Sequence, residues 1–330
     1  MLILAGVSIN LVLGDNGIVK KAQDAKTKTT EDQENMQAGM NNLADEIGKA
    51  IGEVKNVDIK ELKIGDYVNY TYDTVSSGYT TPSTENGYGN QTIAQSTDTL
   101  KWRILNIDEA NGTVDLVSAV PTSNTVYFKG ILGYNNGPYV MDKICEALYS
   151  NNSLGIKARS IDLLDMEKHL TPAGIAARNA YTNAYNVKYG ATKTYTSNTK
   201  YPSLYAGQKG AGVNVAETNA STIAQPDISK GNDPYEESKP IATTEPTTDN
   251  TSGTGNPLTV TQTYYNISID NTNYGTASTV LANGTPFWVA ARCVYTGSSY
   301  ACFGLRFADA NTYGYYMFYS DGNTYGHDCA

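Results

Sequence analysis

The sequence predicts an α+β fold in which an N-terminal amphipathic helix precedes a globular domain with small antiparallel sheets. Apolar residues recur at helical spacing between residues 36 and 54, and segments of alternating pattern follow from residue 66. Tight-turn sequences separate these segments. The chain has 330 residues, enough for one domain with a long helix and a large insertion. We therefore assign residues 1–55 to a helical stem and residues 56–330 to one globular domain.

The composition favours an extracellular binding protein. Charged residues make up only 17% of the chain, against a norm of roughly a quarter, whereas there are 26 tyrosines and 30 glycines. The formal net charge of -9 excludes the concentrated basic face that nucleic-acid binding needs. Two histidines and four cysteines leave few groups for acid–base or metal chemistry, so we do not expect an enzyme.

The first 55 residues predict the stem. Residues 1–13 are almost wholly apolar, but at about 1.5 Å per residue they cover only about 20 Å of a hydrocarbon layer about 30 Å thick. We therefore expect them to be the tail of a longer segment. The alternative is a buried apolar strand before an ordinary core helix, because periodicity alone cannot type short apolar runs. One apolar stripe follows at steps of three and four: Met36, Met40, Leu43, Ile47, Ile51 and Val54.

The middle of the chain predicts a meander of three strands at residues 66–72, 100–107 and 113–120, the last two joined by an Asn-Gly turn. Residues 74–99 are rich in Ser, Thr and Gly and predict an exposed loop.

Three helices are expected next, at residues 140–149, 162–169 and 172–184. Residues 225–257 contain prolines and polar residues with almost nothing apolar, which predicts a linker or an extended excursion.

A β-hairpin is predicted near residue 297. Gly297-Ser298 is typical of a type II′ turn, which has glycine in the first central position. In the resulting register Cys293 faces Cys302 closely enough for a cross-strand disulfide. Two buried free thiols are the alternative, and for Cys145 and Cys329 pairing or free thiols both remain open.

The same register predicts the two faces of the hairpin. Tyr295 faces Tyr300 beside the cysteines. The other face is apolar and predicts the core side, with Arg292 opposite Phe303 as the one misfit. The apolar pairs expected there are Trp288–Phe307, Ala290–Leu305 and Val294–Ala301.

A tandem repeat follows, with Asp309–Gly314 recurring as Asp321–Gly326. The simplest interpretation is two exposed turns flanking a strand. Calcium is a lesser alternative, since Asp-x-Asn-x-x-Gly opens like an EF-hand loop but lacks the third acidic ligand and the closing glutamate.

Seven tyrosines lie between residues 295 and 325 among Gly, Ser, Asn and Asp, a chemistry typical of antibody paratopes, and this indicates ligand binding.

Residues 2–26, LILAGVSINLVLGDNGIVKKAQDAK, resemble the second half of the N-terminal helix of type IV pilin-like proteins from Gram-positive bacteria. The basic leader, the glycine before the cleavage site and the glutamate at the fifth mature position have no counterparts here. The resemblance implies a surface or pilus-associated protein, anchored in the membrane through this helix and contacting other pilin subunits.

Residues 286–293 (PFWVAARC) and 303–307 (FGLRF) are similar to C-type-lectin-like domains of the formylglycine-generating-enzyme type, which include the variable proteins of diversity-generating retroelements. That resemblance implies a C-type-lectin-like fold and a C-terminal face that contacts a protein or glycan ligand. By position, the counterparts of the residues on that face are Tyr295, Tyr300, Asn311, Tyr313, Tyr315, Asn323 and Tyr325. The predicted ligand-binding set also includes their neighbours Arg306, Asp309, Tyr319, Asp321 and His327.

Two other functions remain open. A structural minor pilin is favoured if the tyrosines are buried between subunits. An enzyme of the formylglycine-generating type is favoured by a reactive, unpaired cysteine near His327 and disfavoured by a Cys293–Cys302 bridge.

Overall fold

The fold is α+β, with small antiparallel sheets around one long helix. The computed structural model describes residues 3–7, 59–74, 77–96, 100–195, 214–216, 219–224, 258–282, 284–319 and 325–330. The described strands are β1 Ile3–Val7, β2 Tyr67–Val68, β3 Tyr79–Thr81, β4 Gln91–Ile93, β5 Trp102–Asp108, β6 Thr113–Ser118, β7 Val126–Lys129, β8 Ala158–Ser160, β9 Thr192–Tyr195, β10 Asn214–Ala216, β11 Asn219–Ala224, β12 Leu258–Thr261, β13 Ile267–Ser268, β14 Phe287–Thr296, β15 Ala301–Ala308, β16 Asn311–Tyr319 and β17 Gly326–Cys329.

The helices of the described chain are mostly short. They are α1 Ser83–Asn86, α2 Gly130–Tyr149, α3 Leu163–Glu167, α4 Pro172–Ala180, α5 Asn271–Tyr274 and α6 Ser278–Leu281, with 3₁₀ turns at Ile59–Glu61 and Gly275–Ala277. No helix within the described ranges is long and apolar enough to cross a membrane.

A five-stranded antiparallel sheet has the order β2-β5-β6-β1-β8. It confirms the predicted meander, although β2 is shorter than expected. β1 lies inside this sheet, where Leu4 pairs with Val117 on one side and Arg159 on the other. At these five residues the structure has the strand of the alternative interpretation, because a short apolar run suits either element and only strand pairing decides. The rest of the predicted stem, up to residue 55, lies outside the described residues.

Several predicted segments lie outside the described residues. They include the apolar stripe at 36–54 and the excursion at 225–257. The described parts of the segment at 74–99 are not simply an exposed loop, because they form β3, α1 and β4. Asn86 in α1 is fully buried, and its side-chain amide donates to the Gly89 carbonyl at 2.8 Å.

The central helix α2 begins ten residues before the predicted start at residue 140. Three glycines and Pro138 lower the helix propensity of its first half, so propensity alone does not predict a helix there. The two following helices are confirmed in shortened form. Asp162 caps α3 in a capping box with Asp165, and Thr171 caps α4.

A four-stranded sheet of order β13-β16-β15-β14 positions the candidate site. One face packs against α2 in a core that includes Trp288, Phe303 and Leu305. The opposite face carries Phe287 and Val289 in a second core that covers α5 and α6. Alternate residues of each strand therefore enter different cores, as the pleat requires.

Arg292 is fully buried against α2, on the core side where the sequence analysis found it a misfit. Its Nε donates to the Tyr134 carbonyl at 2.8 Å, and its Nη2 donates to the Asn135 carbonyl. Pro138 lacks the N–H that would otherwise bond the Tyr134 carbonyl four residues earlier. The arginine thus supplies the donor that the helix lacks, which explains its place in the core.

Candidate ligand-binding site

The predicted ligand-contacting residues fall on β14 to β17 and the turns between them. Asp321 and Asn323, with most of the second repeat, lie outside the described residues. Tyr319 ends β16, and only its backbone is described. The other predicted residues can be placed individually.

The hairpin between β14 and β15 has a different turn from the predicted one. The Gly297 N–H donates to the Tyr300 carbonyl at 2.8 Å, so the central residues are Ser298 and Ser299. The φ angle of Gly297 is not in the left-handed region that a II′ turn requires there. A Cβ at this position would lie 2.9 Å from the outer end of the Tyr300 ring, so a larger residue would require that ring to shift.

The predicted disulfide is wrong. The turn shifts the register by two residues, so Cys293 faces Gly304 and Cys302 faces Tyr295 rather than each other. None of the four cysteines forms a disulfide, and all four are buried. A register shift of two residues leaves each side chain on its predicted face of the hairpin. The assignment of side chains to the two faces is therefore correct, although the predicted cross-strand partners are wrong.

A bulge restores the predicted register farther from the turn. Ala290 and Ala291 are extra residues on β14, and the Ala290 N–H donates to the Ile161 carbonyl at 2.8 Å instead of to β15. Beyond the bulge Trp288 faces Phe307, as predicted. Between bulge and turn the predicted pairs are replaced by Arg292–Leu305 and Val294–Phe303.

The sheet separates the predicted aromatic residues into two groups. The turn cluster lies by the hairpin turn and contains Tyr181, Tyr185, Tyr264, Tyr295, Tyr300 and Tyr316. The C-terminal cluster lies on the α2 side and contains Trp288, Phe307, Tyr313, Tyr315 and His327. The single tyrosine face expected from the sequence is therefore two separate surfaces.

Tyr295 is the centre of the turn cluster. Its ring centroid lies 5.2 Å from that of Tyr316, 5.3 Å from Tyr264 and 6.3 Å from Tyr185, each in an edge-on arrangement. The Tyr300 hydroxyl donates to the Tyr185 hydroxyl at 3.1 Å. Edge-on packing is a favoured geometry of aromatic pairs, so the cluster is a defined arrangement of rings.

Asn183 fixes the loop that carries Tyr185. Its side-chain amide donates to the Thr296 carbonyl at 2.8 Å, and its side-chain oxygen accepts from the Tyr185 and Val187 N–H groups. These bonds tie the loop to the last residue of β14. Lys193 also supports the turn, since its Nζ donates to the Gly297 carbonyl at 2.5 Å.

The outer members of the turn cluster are available to a ligand. Tyr185 is 46% exposed, whereas Tyr295 is buried beneath it. Burial raises the pKa of the Tyr295 phenol to about 12, and burial also raises the pKa of Tyr316. The phenols therefore stay protonated at neutral pH, where each hydroxyl can both donate and accept a hydrogen bond.

The C-terminal cluster is organised around Tyr315. The His327 ring stacks on it with centroids 4.0 Å apart. Burial lowers the pKa of His327 below its ordinary value, which favours the neutral ring. Tyr313 lies beside Tyr315, with centroids 6.1 Å apart, and Tyr325 is exposed near the start of β17.

The first repeat forms a turn, as the simplest interpretation predicted. The Asp309 carboxylate accepts from the Asn311 N–H at 2.9 Å, and Asn311 then begins β16. A strand cannot wrap a calcium ion as a loop does. Within the described ranges there is also no group of three or more His, Cys, Asp or Glu residues that could hold a metal ion.

Arg306 is not part of a surface, contrary to the prediction. It is fully buried on β15, where Nη2 donates to the Thr263 carbonyl and the Tyr265 ring lies 4.4 Å from the guanidinium carbon. A desolvated cation–π contact contributes about 2 kcal/mol. Two of the arginine nitrogens, Nε and Nη1, have no hydrogen-bond partner among the described residues.

The absence of the predicted disulfide removes one argument against an enzyme, but Cys145, Cys293 and Cys329 are not activated. Burial raises the pKa of Cys293 to about 11 and that of Cys329, which is near His327, to about 12. It raises the pKa of Cys145 well above the ordinary value. Reactive cysteines have lowered pKa values and partial exposure, so these three thiols lack the environment of a nucleophile.

Of the six residues of the turn cluster, only Tyr295 and Tyr300 are among the predicted site residues. Tyr181, Tyr185 and Tyr264 lie far along the chain from Tyr295 and Tyr300 and come from loops without a motif. The only available signal was the high tyrosine content of the whole chain.

Comparison with models of protein families, with curated proteins and with solved structures finds no match to this chain.

Proposed function

We propose that this chain is an extracellular binding protein of C-type-lectin-like type whose turn cluster contacts a protein ligand. The observation that carries the proposal is the convergence of six tyrosines from separate loops and strands on one hairpin end. Tyrosine gives a large contact area at little cost in rotamer entropy and keeps a polar hydroxyl. The α+β architecture with small antiparallel sheets is consistent with this type of domain.

A protein ligand is favoured over a glycan by the orientation of the rings. Sugars bind proteins by stacking on open aromatic faces. In the turn cluster most ring pairs are edge-on, so the edge of one ring lies against the face of its neighbour rather than leaving a flat stacked platform. Rings in different orientations with polar hydroxyl groups suit the mixed polar and apolar surface of a folded protein.

The test is binding to an array of folded extracellular proteins and, in parallel, to a glycan array. Tyr185→Ala and Tyr300→Ala should each weaken binding about 30-fold, the effect of an interface residue worth about 2 kcal/mol. Tyr67→Ala is the matched control, since Tyr67 is 64% exposed on β2 and lies outside the turn cluster. Binding that survives both cluster variants would contradict the site, and binding only to glycans would contradict the ligand class.

Surface localisation belongs to the same proposal and is supported by the low content of charged residues. We do not extend the proposal to pilus assembly or to membrane anchoring through residues 3–7, because these residues pair as an inner strand. Fractionation of the source cells, with detection by an antibody, should find the protein at the cell exterior. Recovery only from the cytoplasm would contradict this part.

A further inference from the structure

An aromatic surface outside both clusters is formed by Tyr88, which follows α1, and Tyr127 of β7. Their ring centroids lie 3.9 Å apart with an interplanar angle of 34°, so one ring lies over the other rather than edge-on to it. Tyr88 is 58% exposed. The face of the Tyr88 ring that is turned away from Tyr127 is therefore open to solvent. We call these two stacked rings the Tyr88 platform.

The loop that carries Tyr88 is fixed from inside the protein. Asn86 is fully buried, and its Oδ1 accepts from the Tyr88 N–H at 2.7 Å and from the Gly89 N–H at 3.1 Å. Gly87 lies between them with a positive φ of 77°, and a Cβ there would collide with the Lys129 carbonyl of β7. The Tyr88 ring is thus held in place before a ligand arrives, which lowers the entropic cost of binding.

The Tyr127 ring beneath Tyr88 is also supported. The Gln91 side chain donates to the Tyr127 carbonyl at 2.7 Å and accepts from its N–H at 2.8 Å. The outer end of the Tyr127 ring lies over Gly326 of β17, in the space that a Cβ would occupy. The absence of a side chain at Gly326 leaves room for the ring that backs Tyr88.

Polar side chains lie beside the platform on the sheet formed by β7 and β17. The register pairs Tyr127 with Asp328 and Lys129 with Gly326. Phe128, between Tyr127 and Lys129, is fully buried, so the pleat places Tyr127, Lys129 and Asp328 on the outer face. Asp328 and Lys129 are both exposed. Their carboxylate and ammonium groups provide acceptors and donors next to the open ring.

We infer that Tyr88, Asp328 and Lys129 form a binding site for a neutral saccharide whose pyranose ring stacks on the open face of Tyr88. An aromatic face is electron-rich and attracts the C–H groups on one side of a pyranose ring. The hydroxyl groups at the rim of the sugar can donate to Asp328 and accept from Lys129.

The charge of the molecule favours a neutral sugar over an acidic one. Asp328 and Lys129 carry opposite charges, and the net charge of the chain is -9, which repels anionic ligands. A proline-rich peptide could also dock on an aromatic surface, but it offers no hydroxyl groups to the two charged side chains. The turn cluster contributes no residue to this site, so the inference is independent of the function proposed above.

The test is titration calorimetry of the full chain with neutral hexasaccharides of glucose, mannose, galactose and N-acetylglucosamine, and with a proline-rich peptide. At least one of the sugars should bind. Tyr88→Ala should weaken that binding about tenfold, the effect of losing one aromatic stacking contact. Tyr88→Phe keeps the ring and should retain binding. The inference is wrong if none of the four sugars binds, if only the peptide binds, or if Tyr88→Ala leaves sugar affinity unchanged.

Two further variants test the parts of the site separately. Asp328→Ala removes a charged acceptor and should weaken sugar binding about tenfold. Gly326→Ala displaces the Tyr127 ring that supports Tyr88, so it should lower the affinity although residue 326 does not contact the sugar. Unchanged affinity in both variants would show that the sugar does not bind at this site.

The matched control is Tyr185→Ala, which removes an exposed ring of the turn cluster and should leave sugar binding intact. Sugar binding that is lost in Tyr185→Ala and kept in Tyr88→Ala would place the sugar in the turn cluster and overturn this inference. Loss of protein binding in Tyr185→Ala, with sugar binding unchanged, would support two independent sites. A saturation-transfer NMR spectrum should show the C–H protons of one sugar face against aromatic protons, and this signal should disappear in Tyr88→Ala.

Discussion

At the scale of single residues, two glycines of the hairpin region are explained by close packing. A Cβ at Gly297 would meet the Tyr300 ring, and a Cβ at Gly314 would meet Cys293 Sγ at 2.1 Å. Neither glycine has a positive φ. The sequence suggested a backbone role for Gly297, but both glycines lie close to a neighbouring side chain, and the constraint is stronger at Gly314 because Cys293 is fully buried.

Gly314→Ala should lower the free energy of unfolding by about 1–3 kcal/mol, the usual cost of inserting a methyl group into a packed site. Cys293→Ala removes the sulfur from that space, so the double variant should recover much of the loss. Urea denaturation of the single and double variants measures both effects. Gly89→Ala is the control, because nothing lies within 4 Å of a Cβ there. Additive losses in the double variant would contradict the contact.

At the scale of elements, α2 and β14 complete one another's hydrogen bonds. Pro138 takes one donor out of α2, and Arg292 of β14 supplies a substitute to the Tyr134 carbonyl. An arginine on a core face and a proline inside a helix each contradict local rules. Together they satisfy the buried polar groups, which explains why both are tolerated.

Arg292→Met should destabilise the protein by about 1–3 kcal/mol, because the buried Tyr134 carbonyl loses the hydrogen bond that Arg292 donates. Pro138→Ala restores the backbone N–H, so it should stabilise the Arg292→Met variant more than it stabilises the wild type. A double-mutant cycle by chemical denaturation gives this coupling, expected at about 1 kcal/mol. A coupling of zero would show that the two residues act independently.

At the scale of the whole molecule, buried thiols and phenols determine the alkaline limit of stability. Burial raises the pKa of Cys293 from 9.0 to about 11, and it raises the pKa values of Tyr274 and Tyr313 from 10.0 to about 12. Their folded-state pKa values lie above the unfolded ones. Below about pH 9 both states are protonated and the full stability is present; above it, the unfolded chain loses protons first.

The free energy of unfolding should therefore be level up to about pH 9 and fall as the pH rises toward about 11. Urea denaturation at stepped pH values measures the profile. Cys293→Ala removes one of the groups, so its profile should fall less steeply over this range. A wild-type profile that stays level up to about pH 11 would show that the thiol and phenols are not buried.

Much of the fold was predictable because it depends on local signals. The meander, the cap residues before α3 and α4, and the two faces of the hairpin follow from alternation and cap chemistry over a few residues. The pairing partners within the hairpin were not predictable, because the choice between Gly297-Ser298 and Ser298-Ser299 as the turn depends on where the Tyr300 ring packs. The inner strand β1 was equally ambiguous, since its partners β6 and β8 lie more than a hundred residues away.

The amino-acid pattern predicts the α+β class, the assignment of alternate residues of β14 and β15 to opposite faces, and the high tyrosine content. Which tyrosines meet, that the cysteines do not pair, and that Arg306 is fully buried follow only from the folded chain. The physical reason is the distance along the chain over which each interaction acts. Side-chain periodicity and turn chemistry act between neighbours in the chain, whereas contacts and charge balance depend on residues that folding alone brings together.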